Sequence, residues 1–456
     1  METINRFVRP RTQSYEPLPE QSETTQERRR DEDGGSSVKA KRETSTFEYV
    51  VFALVGVAML WSWNMFMACA TYFQRRFAKN PYILDNFQSL ILLVSTVTNL
   101  TSVVYLSLAE SSQPKADYPG RILRSLKINA TAFTLLALST LIWRSAGPAV
   151  YLVFTLFNAF LSSLASGMMQ NGAFSWVNRF DAINTQALMV GQGISGVLPA
   201  ITQIMSILLV PPTEPDTSVV ADELPTVSPL SAFFYFITAT LVSAIAYVAI
   251  AALKRRQESL IENPGDIIDT EDETYDSAAV NEAISFWVLL AKLKYVAFSV
   301  FFTFAVTMIF PVYTQAIVSV RPMETQSRFF QPDVFIPLSF MIWNTGDLAG
   351  RVICAYPFFR VYCPKLLAIL SVGRLVFIPL YLLCNIKGQG AYLNSDAMYW
   401  LIQMAFGISN GWLGANNLMA APDMVTESER AAAGGFMTMW LVGGLATGSV
   451  LSFFVM

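Results

Sequence analysis

The stretch that decides the fold is "KRRQESLIENPGDIIDTEDETYDSAAVNEA", from Lys254 to Ala283. After its basic start it is acidic, and it is the longest connection between apolar segments of the chain. The apolar runs on either side are long enough to cross a hydrocarbon core of about 30 Å, which takes about 20 helical residues. The stretch therefore separates six predicted membrane helices from five.

The composition supports this interpretation. The 456 residues are 53% hydrophobic and 14% charged, whereas a soluble domain has about 25% charged residues, and the mean hydropathy is +0.42. These values predict an all-α integral membrane protein. About eleven transmembrane helices are predicted, near residues 47–73, 84–109, 122–143, 148–176, 183–210, 229–253, 286–311, 332–359, 365–386, 396–419 and 431–455.

The polar segments predict the topology. The first apolar run follows a long polar tail, so it is predicted to be a retained helix and not a signal peptide, and the tail, residues 1–46, is predicted to be disordered. Lys and Arg are abundant in the tail and in the connections on its side, which places the N-terminus in the cytosol and the C-terminus on the extracellular or luminal side. The predicted units are a cytosolic tail (1–46), an N-terminal bundle (47–253), a cytosolic loop (254–285) and a C-terminal bundle (286–456).

Two residue types limit the chemistry. The chain has no His, which excludes a His-based triad and a His-ligated zinc. Its four Cys, at positions 69, 354, 363 and 384, lie in or beside apolar runs without CxxC spacing, so buried thiols are predicted, with no disulfide and no metal site. No cofactor is expected.

Away from the helix ends, charge inside the predicted membrane segments is confined to Asp347, Arg351 and Arg374. An ionised side chain at mid-membrane costs about 2.5–3.5 kcal/mol on insertion scales. Asp347 and Arg351 are four residues apart, so they share a helix face and can form a pair that lowers the cost of both. The pair could stabilise helix packing, anchor a gate or contact a substrate, and intramembrane ionisable residues favour the functional interpretations.

Amide side chains are frequent in the same segments. They offer both donors and acceptors and suit a neutral ligand with hydroxyls and ring nitrogens, although each one alone could equally be an interhelical hydrogen bond. Glycines in "GQGISG" (Gly191 to Gly196) predict close helix packing. The amides are Asn64, Gln88, Asn158, Gln170, Asn171, Gln192, Gln203, Asn344, Gln403, Asn410, Asn416 and Asn417.

Six motifs together resemble the equilibrative nucleoside transporter family, from the first helix to the C-terminus. The first, "WSWNMF", is similar to the family's P-W-N-x-F with Ser62 in place of the proline, and "GMMQNGAF" is similar to Q-G-S-x-F around Gln170. The others are "GQGISG", the Phe310–Pro311 pair, "NTGDLAGR" (344–351) for N-x-x-D-x-x-G-R, and "SNGWLGANNLMAAP" (409–422) for S-N-G-Y followed by A/G-P. Six helices followed by five also resemble the major facilitator plan without its last helix.

The resemblance implies a facilitative, non-ATP-driven carrier of purine and pyrimidine nucleosides, and in some fungal members of nucleobases, that works by alternating access and is not an enzyme. It implies that Asp347 and Arg351 face a central cavity and bind ribose hydroxyls, and that Gln170 hydrogen-bonds the substrate. The predicted substrate-binding residues are Leu60, Trp63, Asn64, Met67, Gln170, Phe310, Asn344, Asp347 and Arg351, and those predicted for helix packing or gating are Gly191, Gly196 and Asn410.

Three alternatives stay open. The same fold could carry organic cations, but such cargo needs an unpaired acid, and Asp347 has Arg351 beside it. Proton-coupled nucleoside symport is disfavoured because an adjacent guanidinium favours the ionised carboxylate. A membrane enzyme or a non-transporting receptor lacks support in the residues.

The expected partners are small nucleosides such as uridine or adenosine and the lipid bilayer, not a nucleic acid polymer, and the chain is expected to be monomeric. The tail contains "YEPL", Tyr15 to Leu18, a Y-x-x-Φ pattern that sorts some proteins to endosomal or vacuolar membranes, and the length and character of the tail resemble fungal members of vacuolar type. A vacuolar or lysosomal-type endomembrane is therefore predicted, with the plasma membrane as the alternative.

Overall fold

A computed structural model of the protein describes residues 45–110, 116–209, 229–262, 284–322, 327–452 and 454. The predicted tail lies outside this range apart from its last two residues, as does most of the predicted cytosolic loop. The α-helices are α1 (Thr46–Ala68), α2 (Ala70–Phe77), α3 (Pro81–Glu110), α4 (Tyr118–Ile142), α5 (Pro148–Val177), α6 (Ala182–Leu209), α7 (Pro229–Glu262), α8 (Phe286–Thr307), α9 (Phe310–Ala316), α10 (Pro332–Ile353), α11 (Pro364–Gly373), α12 (Phe377–Leu382), α13 (Asp396–Ala420) and α14 (Arg430–Ser452).

Each predicted membrane segment coincides with one or more of these helices. Eight spans are long and apolar enough to cross a membrane: α1, α3, α4, α5, α7, α8 with α9, α11 with α12, and α14 with the short turn before it. The other long helices, α6, α10 and α13, carry several buried amide or charged side chains. Among the described residues the fold is all-helical, as predicted.

Three predicted segments are not continuous helices, which corrects the sequence prediction. The first divides at Cys69. The second divides after Thr307, because Pro311 has no N–H to donate to the carbonyl of Thr307. The third divides at a 3₁₀ turn, Arg374–Val376, because Pro379 in α12 leaves the carbonyl of Leu375 without its helical donor. Helix α7 also continues beyond the predicted limit of 253 to Glu262.

The helices form two groups. In the N-terminal group α1 packs on α6 and α7, α4 on α5 and α7, and α3 on α5. In the C-terminal group α10 packs on α13, and α8 packs on α11, α13 and α14. Between the groups α6 contacts α10 and α13, and α14 contacts α3 and α5.

The apolar core shows where the two groups close on each other. One buried cluster contains residues of both groups, among them Phe174 and Leu188 with Phe304 and Phe436. Two further clusters lie each within one group, around Phe73 in the first and around Phe310 in the second. Among the described residues the groups therefore share a core at one end, called here the closed end, and have separate cores at the other, the open end.

A buried amide, Asn129, joins α1 to the other helices of the N-terminal group at Ser62. Asn129 of α4 donates from Nδ2 to the hydroxyl of Ser62 and, at 3.0 Å, to that of Ser243 in α7. Its Oδ1 accepts from Ser162 of α5 at 3.1 Å. Four helices of the N-terminal group thus meet at one side chain, which is 1% exposed.

Replacing Asn129 with alanine should lower the stability of the folded protein by about 1–3 kcal/mol, because the hydroxyls of Ser62 and Ser162 lose buried partners. The measurement is thermal unfolding in detergent. Thr131→Ala on the exposed face of α4 is the matched control and should change the unfolding free energy by less than about 0.5 kcal/mol. Equal unfolding temperatures for the two variants would contradict the structural role of Asn129.

Candidate functional site

The candidate site is built on the α10–α13 helix pair. Two G-x-x-x-G motifs face each other here, Gly346 and Gly350 on α10 and Gly407 and Gly411 on α13. A Cβ at Gly411 would lie 1.9 Å from the carbonyl oxygen of Asp347. The helices are therefore in backbone contact, which only glycine allows, and this contact brings α13 within reach of the Asp347 side chain.

Asp347 and Arg351 form a buried ion pair at this contact. Arg351 Nε donates to Asp347 Oδ2 at 2.8 Å, and Asn410 Nδ2 of α13 donates to Asp347 Oδ1 at 2.7 Å. The two residues are 4% and 5% exposed. Both carboxylate oxygens thus have a donor, as a buried charge requires.

The guanidinium of Arg351 also joins the two helix groups. Its Nη1 donates to the carbonyl oxygen of Met189 at 2.8 Å and to Gln192 Oε1 at 3.0 Å, both on α6. Gln186 Nε2, one turn earlier on α6, donates to the carbonyl oxygen of Arg351 at 3.0 Å. The charged pair therefore lies at the junction of the groups and belongs to the closed end.

Two further connections close this end. Ser107 of α3 donates to the carbonyl oxygen of Gly435 in α14 at 2.9 Å, and Asn178 donates to that of Arg430 at 3.3 Å. Glycine again permits the approach, because a Cβ at Gly434 would lie 2.2 Å from the carbonyl oxygen of Phe174. The junction between α14 and the N-terminal group is thus made through backbone carbonyls.

Several predicted residues of α1, α6 and α10 make contacts between these helices. Asn64 donates to the carbonyl oxygen of Ser195 at 2.6 Å, and a Cβ at Gly196 would lie 2.6 Å from Asn344 Oδ1. Gly191 packs on the carbonyl of Ala53. Leu60, Trp63, Asn64 and Asn344 are half-buried, and Met67 is exposed.

Two further predicted residues, Gln170 and Phe310, differ in whether their binding groups already have a partner. Gln170 on α5 is buried, and its Oε1 has no hydrogen-bond partner among the described residues. Phe310 is 3% exposed and stacks on Trp343 of α10, with 4.4 Å between ring centroids and 14° between planes. One face of Phe310 is therefore already covered by an aromatic ring, whereas Gln170 has free hydrogen-bonding capacity.

The structure adds residues that the sequence prediction did not place in the site. Gln192 contacts Arg351 directly, and Thr307 of α8 donates to Asn410 Oδ1 at 2.5 Å. Arg374 donates from Nη1 to Thr307 Oγ1 at 3.1 Å. Two of these residues could have been noticed in the sequence, Gln192 as the amide within "GQGISG" and Arg374 as an intramembrane charge. The sequence does not indicate which helix either side chain faces.

This arrangement of two helix groups around a buried charged junction defines the class of fold, which is that of solved major facilitator proteins. The solved structure of the proton:xylose symporter XylE aligns with a TM-score of 0.61 at 12% identity, over 89% of this chain and 88% of that one. The human organic anion transporter MFSD10 aligns with a TM-score of 0.55 at 12% identity, over 90% and 93%. At such identities the likeness concerns the fold alone.

The sequence comparisons give the family. The profile of the nucleoside transporter family matches residues 156–456, and the chain belongs to this family. Nucleoside transporter FUN26 of Saccharomyces cerevisiae is 27% identical over 91% of this chain and 84% of its own length. Human equilibrative nucleoside transporter 1 is 27% identical over 89% of this chain and 96% of its own length.

Proposed function

We propose that this protein is a facilitative nucleoside carrier that works by alternating access. The observation that carries the proposal is the Asp347–Arg351 pair, buried at the junction of the helix groups and bonded to both of them. A charged pair at this depth is costly unless it serves the pathway, and carriers of this fold bind their substrates where the two halves meet. The family to which the chain belongs supports nucleosides as the substrate.

The chemistry of the pair suits a ribose. An ionised carboxylate accepts from two hydroxyls, which fits the 2′ and 3′ hydroxyls, while a guanidinium donates to ribose oxygens. Asn344 is on the same helix, one turn before the pair. The unpartnered Oε1 of Gln170 supplies an acceptor for a base N–H, since a buried orphan acceptor costs about 1–3 kcal/mol until a donor arrives.

Alternating access would act on the closed end. Its opening requires breaking the bonds from Arg351 to Gln192 and Met189 and those from Ser107 and Asn178 to α14. A ribose bound to Arg351 would compete with Gln192 for the guanidinium and so would loosen this junction. The substrate thereby lowers the barrier to the step that releases it.

The proposal also covers the membrane topology, the oligomeric state and the location of the protein. The basic residues of the tail would place the N-terminus in the cytosol, and eleven crossings would then place the C-terminus outside. The closed end would face the cytosol, and the predicted division is at residues 254–285. We propose a monomer that needs no cofactor, catalyses no reaction and binds no nucleic acid polymer. A vacuolar or lysosomal-type membrane is proposed over the plasma membrane because of the "YEPL" segment, which lies outside the described residues.

The test is uptake of radiolabelled uridine into proteoliposomes, with adenosine, free uracil and an organic cation as competitors. Saturable uptake that stops at equal concentrations inside and outside, and that an imposed pH gradient does not change, is expected. Accumulation driven by the pH gradient would replace the facilitative mechanism with proton symport. Inhibition by the organic cation alone would contradict nucleosides as the substrate.

A further inference from the structure

Arg374 lies in the 3₁₀ turn between α11 and α12 and is 2% exposed. Its Nε donates to Ser409 Oγ of α13 at 3.1 Å, and its Nη1 donates to Thr307 Oγ1 and to the carbonyl oxygen of Thr303 in α8. The guanidinium also lies 4.4 Å from the ring centroid of Phe406. A buried arginine that binds two neighbouring helices is expensive to place in a membrane, which favours a functional role for Arg374.

The local structure gives Arg374 access to α8. Pro379 ends the α-helical bonding near Arg374, and Pro311 ends α8 at Thr307. The two helix breaks are adjacent in space, since Arg374 Nη1 reaches both Thr303 and Thr307. If either helix were uninterrupted, the Arg374 side chain would have a different direction and a different distance from α8.

The proton of Thr307 connects this arginine to the site. A threonine hydroxyl has one proton and can donate it once. Two acceptors lie within reach, the carbonyl oxygen of Thr303 at 2.8 Å and Asn410 Oδ1 at 2.5 Å. Because Arg374 already donates to the carbonyl of Thr303 and to the oxygen of Thr307, the proton of Thr307 is directed to Asn410.

The orientation of the Asn410 amide follows from this. Its Oδ1 accepts from Thr307, so its Nδ2 must face Asp347 Oδ1, where it donates at 2.7 Å. All donations thus run one way, from Arg374 through Thr307 and Asn410 to Asp347, while Arg351 donates to the other carboxylate oxygen. A charged donor at the start of such a chain strengthens each bond after it.

We propose that Arg374 is a positioning residue that acts through Thr307 and Asn410 to hold Asp347 in the orientation that reads ribose hydroxyls. The chain fixes one carboxylate oxygen from the C-terminal group alone, independently of the Arg351 bonds to α6 that break when the closed end opens. Asp347 therefore keeps its direction through the transport cycle. The inference rests on the proposed function, because it assumes that Asp347 contacts the ribose.

The test compares uridine with 2′,3′-dideoxyuridine, which lacks both hydroxyls, in proteoliposomes of wild-type protein and variants. Thr307→Val keeps the side-chain shape and removes the donor, and Thr307→Ser keeps the donor. Thr307→Val should lower kcat/KM for uridine about tenfold, mainly through KM, and change that for dideoxyuridine by less than about twofold. Thr307→Ser should behave like the wild type, and Arg374→Gln should show the selective loss of Thr307→Val.

A role in packing alone would lower uptake of both nucleosides equally, and this result, or unchanged uridine uptake in Thr307→Val, overturns the inference. Failure of the proposed function is distinguishable. If wild-type protein does not prefer uridine to dideoxyuridine, or if Asp347→Asn keeps that preference, Asp347 does not read the hydroxyls. If the wild type prefers uridine and Asp347→Asn loses that preference, but Thr307→Val remains like wild type, then only the role of Arg374 is wrong.

Discussion

Replacing Asp347 with alanine is expected to reduce uridine uptake to background, a loss of at least about 100-fold. The carboxylate proposed to accept the ribose hydroxyls disappears, and the guanidinium of Arg351 is left at the junction without a counter-charge. Removal of one partner of a buried pair costs about 3–5 kcal/mol. The sequence alone predicts that the variant folds and loses uptake. The burial of the pair adds that the folded protein is also less stable by this amount.

Two further variants separate transport from folding. Asp347→Asn keeps the side-chain shape and should lose uptake with a smaller change in thermal stability. Asp347→Ala combined with Arg351→Leu removes both charges and should recover stability without recovering uptake, since paired buried charges can be replaced by apolar groups at little cost. Near-normal uridine uptake by any folded variant that lacks the Asp347 carboxylate would disprove the role assigned to it.

Replacing Gly411 with alanine is expected to separate α10 from α13 and thereby disable the site. The new Cβ would lie 1.9 Å from the carbonyl oxygen of Asp347 and 3.0 Å from the backbone nitrogen of Arg351, and neither atom is on a flexible side chain. We expect destabilisation of about 1–3 kcal/mol from overpacking and at least about a tenfold loss of uridine uptake.

Gly373→Ala is the matched control, because no atom lies within 4 Å of a Cβ at that position. Alanine is favoured over glycine in a helix by about 1 kcal/mol, so this variant should be as stable as wild type or more stable. The measurements are thermal unfolding in detergent and uptake in proteoliposomes. Comparable unfolding temperatures and uptake for the two variants would mean that the backbone contact between α10 and α13 does not constrain the site.

The sequence predicted the helical segments well because their signal is local. A run of about 20 apolar residues must form a helix in lipid, where each backbone group needs a partner within the segment. The Asp347–Arg351 contact was predictable for the same reason, since a spacing of four residues fixes it within one helix. The breaks beside Pro311 and Pro379 were also encoded locally, but a proline in a membrane helix can be accommodated without a break.

What the sequence by itself determined is the membrane class, the approximate helices and the residue types available for a polar site. Only the tertiary structure decided which of those residues meet. Gln192 contacts the charged pair directly, and Thr307 and Arg374 are connected to it through Asn410. Sequence separation carries no information on such contacts. The closed end likewise depends on glycine-mediated approach between helices that are distant in the chain. Helix formation is set by neighbours in sequence, whereas the site is set by helix packing.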